Sequence, residues 1–282
     1  MAIVVDHLIH SFNASDKPFN AVDDITLTIN EGEFIAIIGH TGSGKTTFIQ
    51  HLNALLLPSS GSVYVDGLDT RNKAARKKIR SLVGMVFQYP EYQLFADTVK
   101  EDIAFGPSNR GDKPQDIDAN IRKAMQQVGL EYDAFSEKSP FELSGGEKRR
   151  VALAGILALQ PKYIVLDEPM AGLDPVGRAD ILETLEQLRA STGCAIIMVS
   201  HSMDDVAAHA DKVLVLKNGS VFLFDTPENV FSHSSELIEN GLSLPEATKL
   251  AILLKNRGVT GIPDNVCTFD ALLDIIRGKL AL

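Results

Sequence analysis

The chain has 282 residues, 45% apolar and 23% charged, with a net charge of −10. This is the make-up of an ordinary globular protein, with room for one large domain and an appendage or for two modest domains, and its acidic balance argues against broad attraction to nucleic acid. Two cysteines, Cys194 and Cys267, are too few and too far apart for a disulfide framework or a zinc site, which points to a reducing compartment, and no stretch approaches the roughly 20 apolar residues of a membrane span.

The first twelve residues lack the basic start and long apolar core of a signal peptide. A strand begins at Ile3-Val4-Val5, a polar loop is expected over 13–20, and Val22, Ile25, Leu27 and Ile29 alternate as in a second strand. Phe34 to Ile38 is an apolar run short enough for a fully buried strand, and a helix is expected over 47–57, closed by Pro58. Val63-Tyr64-Val65 followed by Asp66-Gly67 reads as a strand leaving a turn, so these early strands suggest an antiparallel sheet. A helix over 73–81 and a buried strand over 82–87 follow. The basic runs Lys73 to Arg80 and Lys148-Arg149-Arg150 fit solvated helix faces, with a binding patch as the alternative.

From 89 to 139 strand signals vanish. Helices are expected over 99–103 and 117–128, broken at Gly106-Pro107 and Lys113-Pro114, which suggests an inserted helical subdomain. Beyond a helix over 147–159, strands over 163–166, 194–199 and 212–216 alternate with helices over 176–190 and 203–209. That alternation predicts an α/β fold with a largely parallel sheet covered on both faces. Cys194 opens an apolar run and is expected to be a buried thiol. Asn218-Gly219 between two apolar runs is a hairpin signal. Past Thr226-Pro227, helices are expected over 228–233, 245–256 and 269–282, with Leu250, Leu253 and Leu254 on one helix face.

Three motifs carry chemistry. Gly39-His40-Thr41-Gly42-Ser43-Gly44-Lys45-Thr46 fits G-x-x-x-x-G-K-[ST] between a predicted strand and a predicted helix. A chance glycine turn is the bland alternative, and the strand–turn–helix context counts against it. Such a turn gathers backbone N–H groups and the positive end of a helix dipole around a polyphosphate. The chain is therefore expected to bind a nucleoside triphosphate through Gly39 to Thr46 and on to Thr47, with Lys45 on the β- and γ-phosphates and Thr46 on Mg²⁺. Tyr163 to Leu166 is an apolar strand ending in Asp167 and Glu168, where Asp167 can reach the metal and Glu168 can polarise a water. Leu143-Ser144-Gly145-Gly146-Glu147 opens a helix and reads as a second phosphate-ready N-terminus and as a capping box, two readings that are compatible.

In this order and combination, the three motifs resemble those of ATP-binding-cassette ATPases over about residues 1–224. The resemblance implies a P-loop NTPase core of RecA-like type with a largely parallel sheet, an antiparallel β subdomain, an inserted α-helical subdomain at about 89–160 and a C-terminal helical tail at 225–282 with a role in dimerisation. It implies that Phe12 stacks on adenine, though Phe12 also fits a plain core position. Gln88 would sense Mg²⁺ and nucleotide, Asp174 in Ala171-Gly172-Leu173-Asp174 would couple two nucleotide sites, and His201 would contact the γ-phosphate. Lys45, Glu168 and His201 form the catalytic set, Thr46, Gln88 and Asp167 the metal set. Ser144, Gly145, Gly146 and Glu147 would close over the ATP of a second subunit, so a dimer is required.

Phe87-Gln88-Tyr89-Pro90-Glu91-Tyr92-Gln93-Leu94-Phe95 further resembles the matching segment of energy-coupling-factor transporter ATPases, motors of vitamin and cobalt or nickel importers. Gly39-His40-Thr41, Gln50-His51-Leu52-Asn53 and the helical tail add to that likeness, and Tyr89-Pro90-Glu91 resembles the second of two paralogous types. The resemblance implies ATP and Mg²⁺ as cofactors and a second ATPase, itself or a paralogue, as partner. It also implies a membrane-embedded scaffold (T) protein, a substrate-binding membrane (S) protein, no nucleic acid, and a place on the cytoplasmic face of the cell membrane. Glu91, Asp97, Glu101 and Asp102 would offer acidic partners to the scaffold, or form a solvated face. Alternatives are the ATPase of an importer with a soluble binding protein, a soluble cassette ATPase acting on nucleic acid or ribosomes, or a nucleotide-binding module without turnover. The single phosphate loop and the lack of heptads between Gln88 and Ser144 speak against the second, Glu168 and His201 against the third.

Overall fold

The computed structural model describes residues 1–14 and 17–280. β1 (Ala2–Ala14) and β2 (Lys17–Asn30) form a long antiparallel hairpin, with Ile3 opposite Ile29 and Phe12 opposite Phe19. β3 (Phe34–Ile38) leads into α1 (Lys45–Leu52), followed by β4 (Ser60–Val65), β5 (Leu68–Asp69), α2 (Arg76–Leu82) and β6 (Val83–Val86). A helical stretch comes next: α3 (Val99–Arg110), α4 (Pro114–Gln127), α5 (Tyr132–Phe135) and α6 (Gly145–Leu157), with one-turn 3₁₀ helices at Pro90–Gln93 and Pro140–Glu142. Then β7 (Tyr163–Asp167), α7 (Pro175–Thr192), β8 (Ala195–Val199), α8 (Met203–His209), β9 (Lys212–Lys217) and β10 (Ser220–Asp225) complete the sheets. α9 (Pro227–Ser232), α10 (Ser234–Glu239), α11 (Glu246–Asn256) and α12 (Phe269–Leu280) form the tail.

One sheet has the order β10-β9-β3-β8-β7-β6, parallel except for the β9–β10 hairpin, and the other is the antiparallel β2-β1-β4-β5. β3, β7 and β8 are buried along their whole length, as strands covered on both faces must be. Their side chains alternate between cores. Ile35 and Ile37 pack with Phe48 of α1 and with Val5 and Val63 of the antiparallel sheet. Ile164, Leu166, Ile196 and Met198 pack with the helical stretch through Ile103, Val151 and Leu157. Because β3, β6, β7 and β8 run parallel, the loops after all four emerge along one edge, where ligands bind in open α/β sheets. Gly39, Gln88, Glu168 and Ser200 stand on those loops.

Several local expectations are corrected. The expected polar loop over 13–20 is mostly strand: β1 and β2 pair through Asn13↔Pro18 and Ala14↔Lys17, and only 15–16 lie outside the described residues. The Phe12–Phe19 ring pair, 5.9 Å between centroids, and the Ser11 hydroxyl donating to Asn20 Oδ1 at 2.7 Å hold polar sequence in the ladder. The helix expected over 47–57 ends at Leu52. Asn53 turns inward, Ala54 takes φ 57, and Asn53 Oδ1 accepts the Leu55 N–H at 3.1 Å. Gly106-Pro107 breaks nothing. Pro107 continues the buried stripe Val99, Ile103, Pro107 of α3, and that burial offsets the hydrogen bond its ring nitrogen cannot make. Lys113-Pro114 does mark a helix start, with Pro114 in the first turn. α10 lacked a sequence signal, and residues 281–282 of the last expected helix lie outside the described residues.

The hairpin reading of Asn218-Gly219 holds, with φ 50 and φ 82 as a type I′ turn requires. Cys194 is buried, as is Cys267, and burial pushes both thiols up, Cys267 to about 11. In α11 the tail buries Ala247, Thr248 and Ala251, while Leu250 and Leu253 face solvent. Among the described residues no helix is long and apolar enough to cross a membrane.

Candidate active site

The phosphate loop joins the end of β3 to the start of α1. Gly39 (φ 156), Gly42 (φ 83) and Gly44 (φ 98) sit in backbone regions that suit glycine. A Cβ at Gly44 would strike the Ala21 carbonyl, whereas one at Gly42 would meet nothing within 4 Å. The loop is thus wedged from behind and open in front, a cradle into which a phosphate can approach the backbone. Lys45 lies 93% buried and curls over that loop, Nζ donating to the Gly39 carbonyl at 2.7 Å and the His40 carbonyl at 3.0 Å. Burial lowers its pKa, and the charges of Glu168 and Asp167 oppose that effect. His40 Nδ1 bonds the Thr41 carbonyl at 2.6 Å, and Ser43 is buried with a hydroxyl that has no partner among the described residues.

Asp167 ends β7 opposite Val199, and the Thr46 hydroxyl donates to Asp167 Oδ2 at 3.1 Å. Burial raises the Asp167 pKa; the Thr46 bond lowers it and the neighbouring Glu168 charge raises it further. Two hard oxygen donors side by side at the loop's end fit a cation that keeps most of its waters and takes phosphate oxygens as remaining ligands. These residues therefore suit Mg²⁺ bound together with a triphosphate.

Glu168 is the hub. Its backbone takes φ 49, an uncommon conformation for a non-glycine residue, and its N–H donates to the Val199 carbonyl at 3.2 Å. His201 Nε2 stands 2.9 Å from Glu168 Oε1, and Gln88 Nε2 donates to Glu168 Oε2 at 3.3 Å. Residues 33 and 80 positions away thereby converge on both oxygens of one carboxylate. Glu168, Ser200, His201, Ser202 and Gly172 line a cavity of about 380 Å³ at this point. Tyr89, the residue after Gln88, also takes a positive φ, 55.

The other expected residues make no hydrogen bond to this cluster among the described residues. Ser144 caps α6: its hydroxyl accepts the Glu147 N–H at 3.4 Å while Glu147 Oε2 accepts the Ser144 N–H at 2.8 Å, so the capping-box reading holds. Ser144, Gly145 and Gly146 are exposed and make no hydrogen bond to the phosphate loop among the described residues. Asp174 caps α7 by accepting the Gly177 N–H at 2.9 Å. Thr47 gives its carbonyl to His51 Nδ1 at 2.8 Å. Phe12 is not a core residue, being 40% exposed, with one ring contact to His10 at 4.6 Å and one to Phe19.

Two expectations about charge are overturned. Arg149 is not part of a solvated basic face: it is 6% exposed and donates to Glu91 Oε1 at 3.0 Å and to the carbonyls of Pro169 and Ala171. Glu91 is consequently an internal partner. Asp102 is engaged too, accepting the N–H groups of Phe95 and Ala96 at 2.8 and 3.0 Å. Asp97 and Glu101 are exposed. Arg149 stands at helical spacing with the buried Leu153 and Leu157 of α6, a pattern that was legible in the sequence.

Known proteins resemble this chain in sequence and in fold. A family model described as ABC transporter matches residues 22–171. The energy-coupling factor transporter ATP-binding protein EcfA2 of Clostridium perfringens is 48% identical over 286 residues, covering 99% of this chain and 100% of the relative. EcfA2 of Symbiobacterium thermophilum is 49% identical over 284 residues, covering 100% and 97%. Among solved structures, cbiO1 from Clostridium perfringens, part of the ABC transporter complex cbiONQ, superposes with a TM-score of 0.74 at 34% identity, covering 90% of this chain and 98% of that one. A dimeric ATP-binding cassette in a post-hydrolysis state with ADP and Pi gives 0.71 at 26% identity, covering 80% and 98%. The phosphate loop, the Asp167-Glu168 strand end and these likenesses together make the chain a member of the ABC transporter ATP-binding family, in its energy-coupling-factor group.

Proposed function

We propose that this chain hydrolyses ATP to energise import of a vitamin or a transition-metal ion through an energy-coupling-factor transporter. The observation that carries the reading is the convergence of Gln88 and His201 on Glu168, next to the Thr46–Asp167 pair. Glu168 polarises the attacking water. His201 orients the Glu168 carboxylate and offers a donor to the transferring phosphoryl group. Lys45 is released from two loop carbonyls toward the phosphates, where its charge is better placed. Thr46, Asp167 and Gln88 would hold Mg²⁺, which would supply charge to offset that of the phosphates.

The catalytic unit is a pair of ATPases. The exposed Ser144-Gly145-Gly146 tip makes no hydrogen bond to its own phosphate loop among the described residues, and the related cassette with ADP and Pi is dimeric. Each tip closes over the nucleotide of the facing subunit, and Asp174 lies at the seam. The tail from 225 onward is a second contact between the ATPases, supported by the outward Leu250, Leu253, Phe269 and Leu273. The cassette itself spans about 1–224, with its helical subdomain at about 89–160. The membrane-embedded T protein meets that subdomain, where Tyr92 is 83% exposed and Phe95 59%. An S protein selects the cargo, and the assembly places this chain on the cytoplasmic face of the membrane. Co-purification tests the assignment: a multispan membrane protein and a second ATPase should be recovered with the tagged chain. Recovery of a soluble substrate-binding protein instead would favour an ordinary importer.

A further inference from the structure

The segment Gln50-His51-Leu52-Asn53 has no part in the chemistry above, yet it carries an unusual buried pair. His51 is 0% exposed and His10 9%, and His51 Nε2 lies 3.0 Å from His10 Nδ1. Their protons can be assigned from the acceptors around them. His51 Nδ1 is 2.8 Å from the Thr47 carbonyl, which can only accept, so His51 Nδ1 carries the proton and Nε2 the lone pair. His10 Nδ1 faces two acceptors, that lone pair and the Leu57 carbonyl at 3.1 Å, so His10 Nδ1 is a donor. The bonds therefore run one way: His10 to His51 to Thr47. Burial holds His51 neutral, lowering its pKa to about 4, as the acceptor role requires.

The two ends of this chain matter. Thr47 follows Thr46 in the first turn of the phosphate-loop helix. His10 stands edge-on to Phe12, 4.6 Å between centroids and 71° between planes. β1 and α1 belong to different structural layers, and the pair ties them where base and phosphates of one nucleotide would meet the protein. Two imidazoles are a costly filler for a space that aliphatic side chains could fill without polar demands. The directed hydrogen-bond chain that they form instead points to a positioning role.

We propose that His10 and His51 are positioning residues for nucleotide-base recognition, holding the Phe12 ring at a set distance from the phosphate-loop helix. This rests on the reading of Phe12 as the base-stacking residue. The pair touches neither base nor phosphate. It preorganises the platform, so its loss should weaken binding only for ligands that carry a base.

The test compares binding of ATP and of inorganic tripolyphosphate to the full chain by calorimetry, for the unsubstituted protein, His10→Ala, His10→Phe and Phe12→Ala. His10→Ala should weaken ATP binding about two- to tenfold, from the loss of one aromatic contact and its anchoring, and leave tripolyphosphate binding unchanged. In the assembled ATPase pair, KM for ATP should rise by more than kcat falls. His10→Phe keeps a ring against Phe12 but no donor; it should shift ATP binding in the same direction by less, and it reports alone should His10→Ala not fold. Equal losses for ATP and tripolyphosphate, or no loss in the folded His10 variants while Phe12→Ala weakens ATP, overturn the positioning role. Unchanged ATP binding in Phe12→Ala removes the base-stacking reading itself and the proposal with it.

Discussion

Glu91 and Arg149 face each other at 3.0 Å across 58 residues of sequence, and the Arg149 guanidinium also holds the Pro169 and Ala171 carbonyls. One buried cation thus joins the segment after Gln88, the helix that opens with Ser144, and the loop after Glu168. Three segments far apart in sequence are tied together at this point.

Removing one partner from such a pair strands a charge with little water to solvate it. Glu91→Ala should lower unfolding stability by about 2 kcal/mol, at the modest end because Arg149 keeps its two carbonyl partners. Asp97→Lys, on an exposed residue, should change it by less than about 0.5 kcal/mol. Urea denaturation measures both. Equal stability of the two variants would restore Glu91 to the surface role that its sequence position suggests.

Glu168→Gln keeps the shape of the side chain and removes the charge proposed to polarise water. Steady-state hydrolysis by the assembled pair should fall by about 100-fold or more, while ATP affinity stays within about threefold. Retained turnover would mean that the base lies elsewhere.

Ser144→Ala separates a local role from one across the interface. Losing the cap should cost about 1 kcal/mol of stability. ATP binding to the isolated chain should not change, because the tip makes no hydrogen bond to its own loop among the described residues, but hydrolysis by the pair should fall by about tenfold or more. A fall in activity no larger than the stability loss explains would confine Ser144 to capping.

His51 gives a pH signature of its own. Its pKa is near 4 in the folded chain against an ordinary value of 6.5, so the unfolded chain binds the extra proton first as pH falls. The resulting stability is fully present above 6.5, is lost as pH drops from 6.5 toward 4, and levels off below. The loss is about 3.5 kcal/mol at most, from about 1.4 kcal/mol per pKa unit. Thermal melts of the unsubstituted protein and His51→Gln over pH 4 to 7 should converge at the acid end. Parallel pH profiles would mean that His51 titrates normally.

Much of the site was legible because its residues sit at strand ends, where local pattern and chemistry coincide. Phe34 to Ile38 before Gly39, Tyr163 to Leu166 before Asp167, and Ile196 to Val199 before Ser200-His201 each announce a buried strand and the polar group at its end. Surface charge was harder to read. Lys148-Arg149-Arg150 looks uniform along the chain, yet one of the three turns inward, because α6 packs its Leu153–Leu157 face against the helical core. Asn13 to Asn20 looks like a loop by composition, but cross-strand pairing partners decide a ladder.

Order along the chain, three motifs and strand-end chemistry were enough to identify an ATP-driven member of this family and to nominate Lys45, Thr46, Asp167, Glu168 and His201. Which side chains meet was settled only by folding. Gln88 and His201 on opposite oxygens of Glu168, Glu91 on Arg149, and His10 on His51 are contacts between elements far apart in sequence. Hydrophobic periodicity reports which face of an element is buried, but the partner of a polar group depends on how separate elements dock. That information exists only in three dimensions.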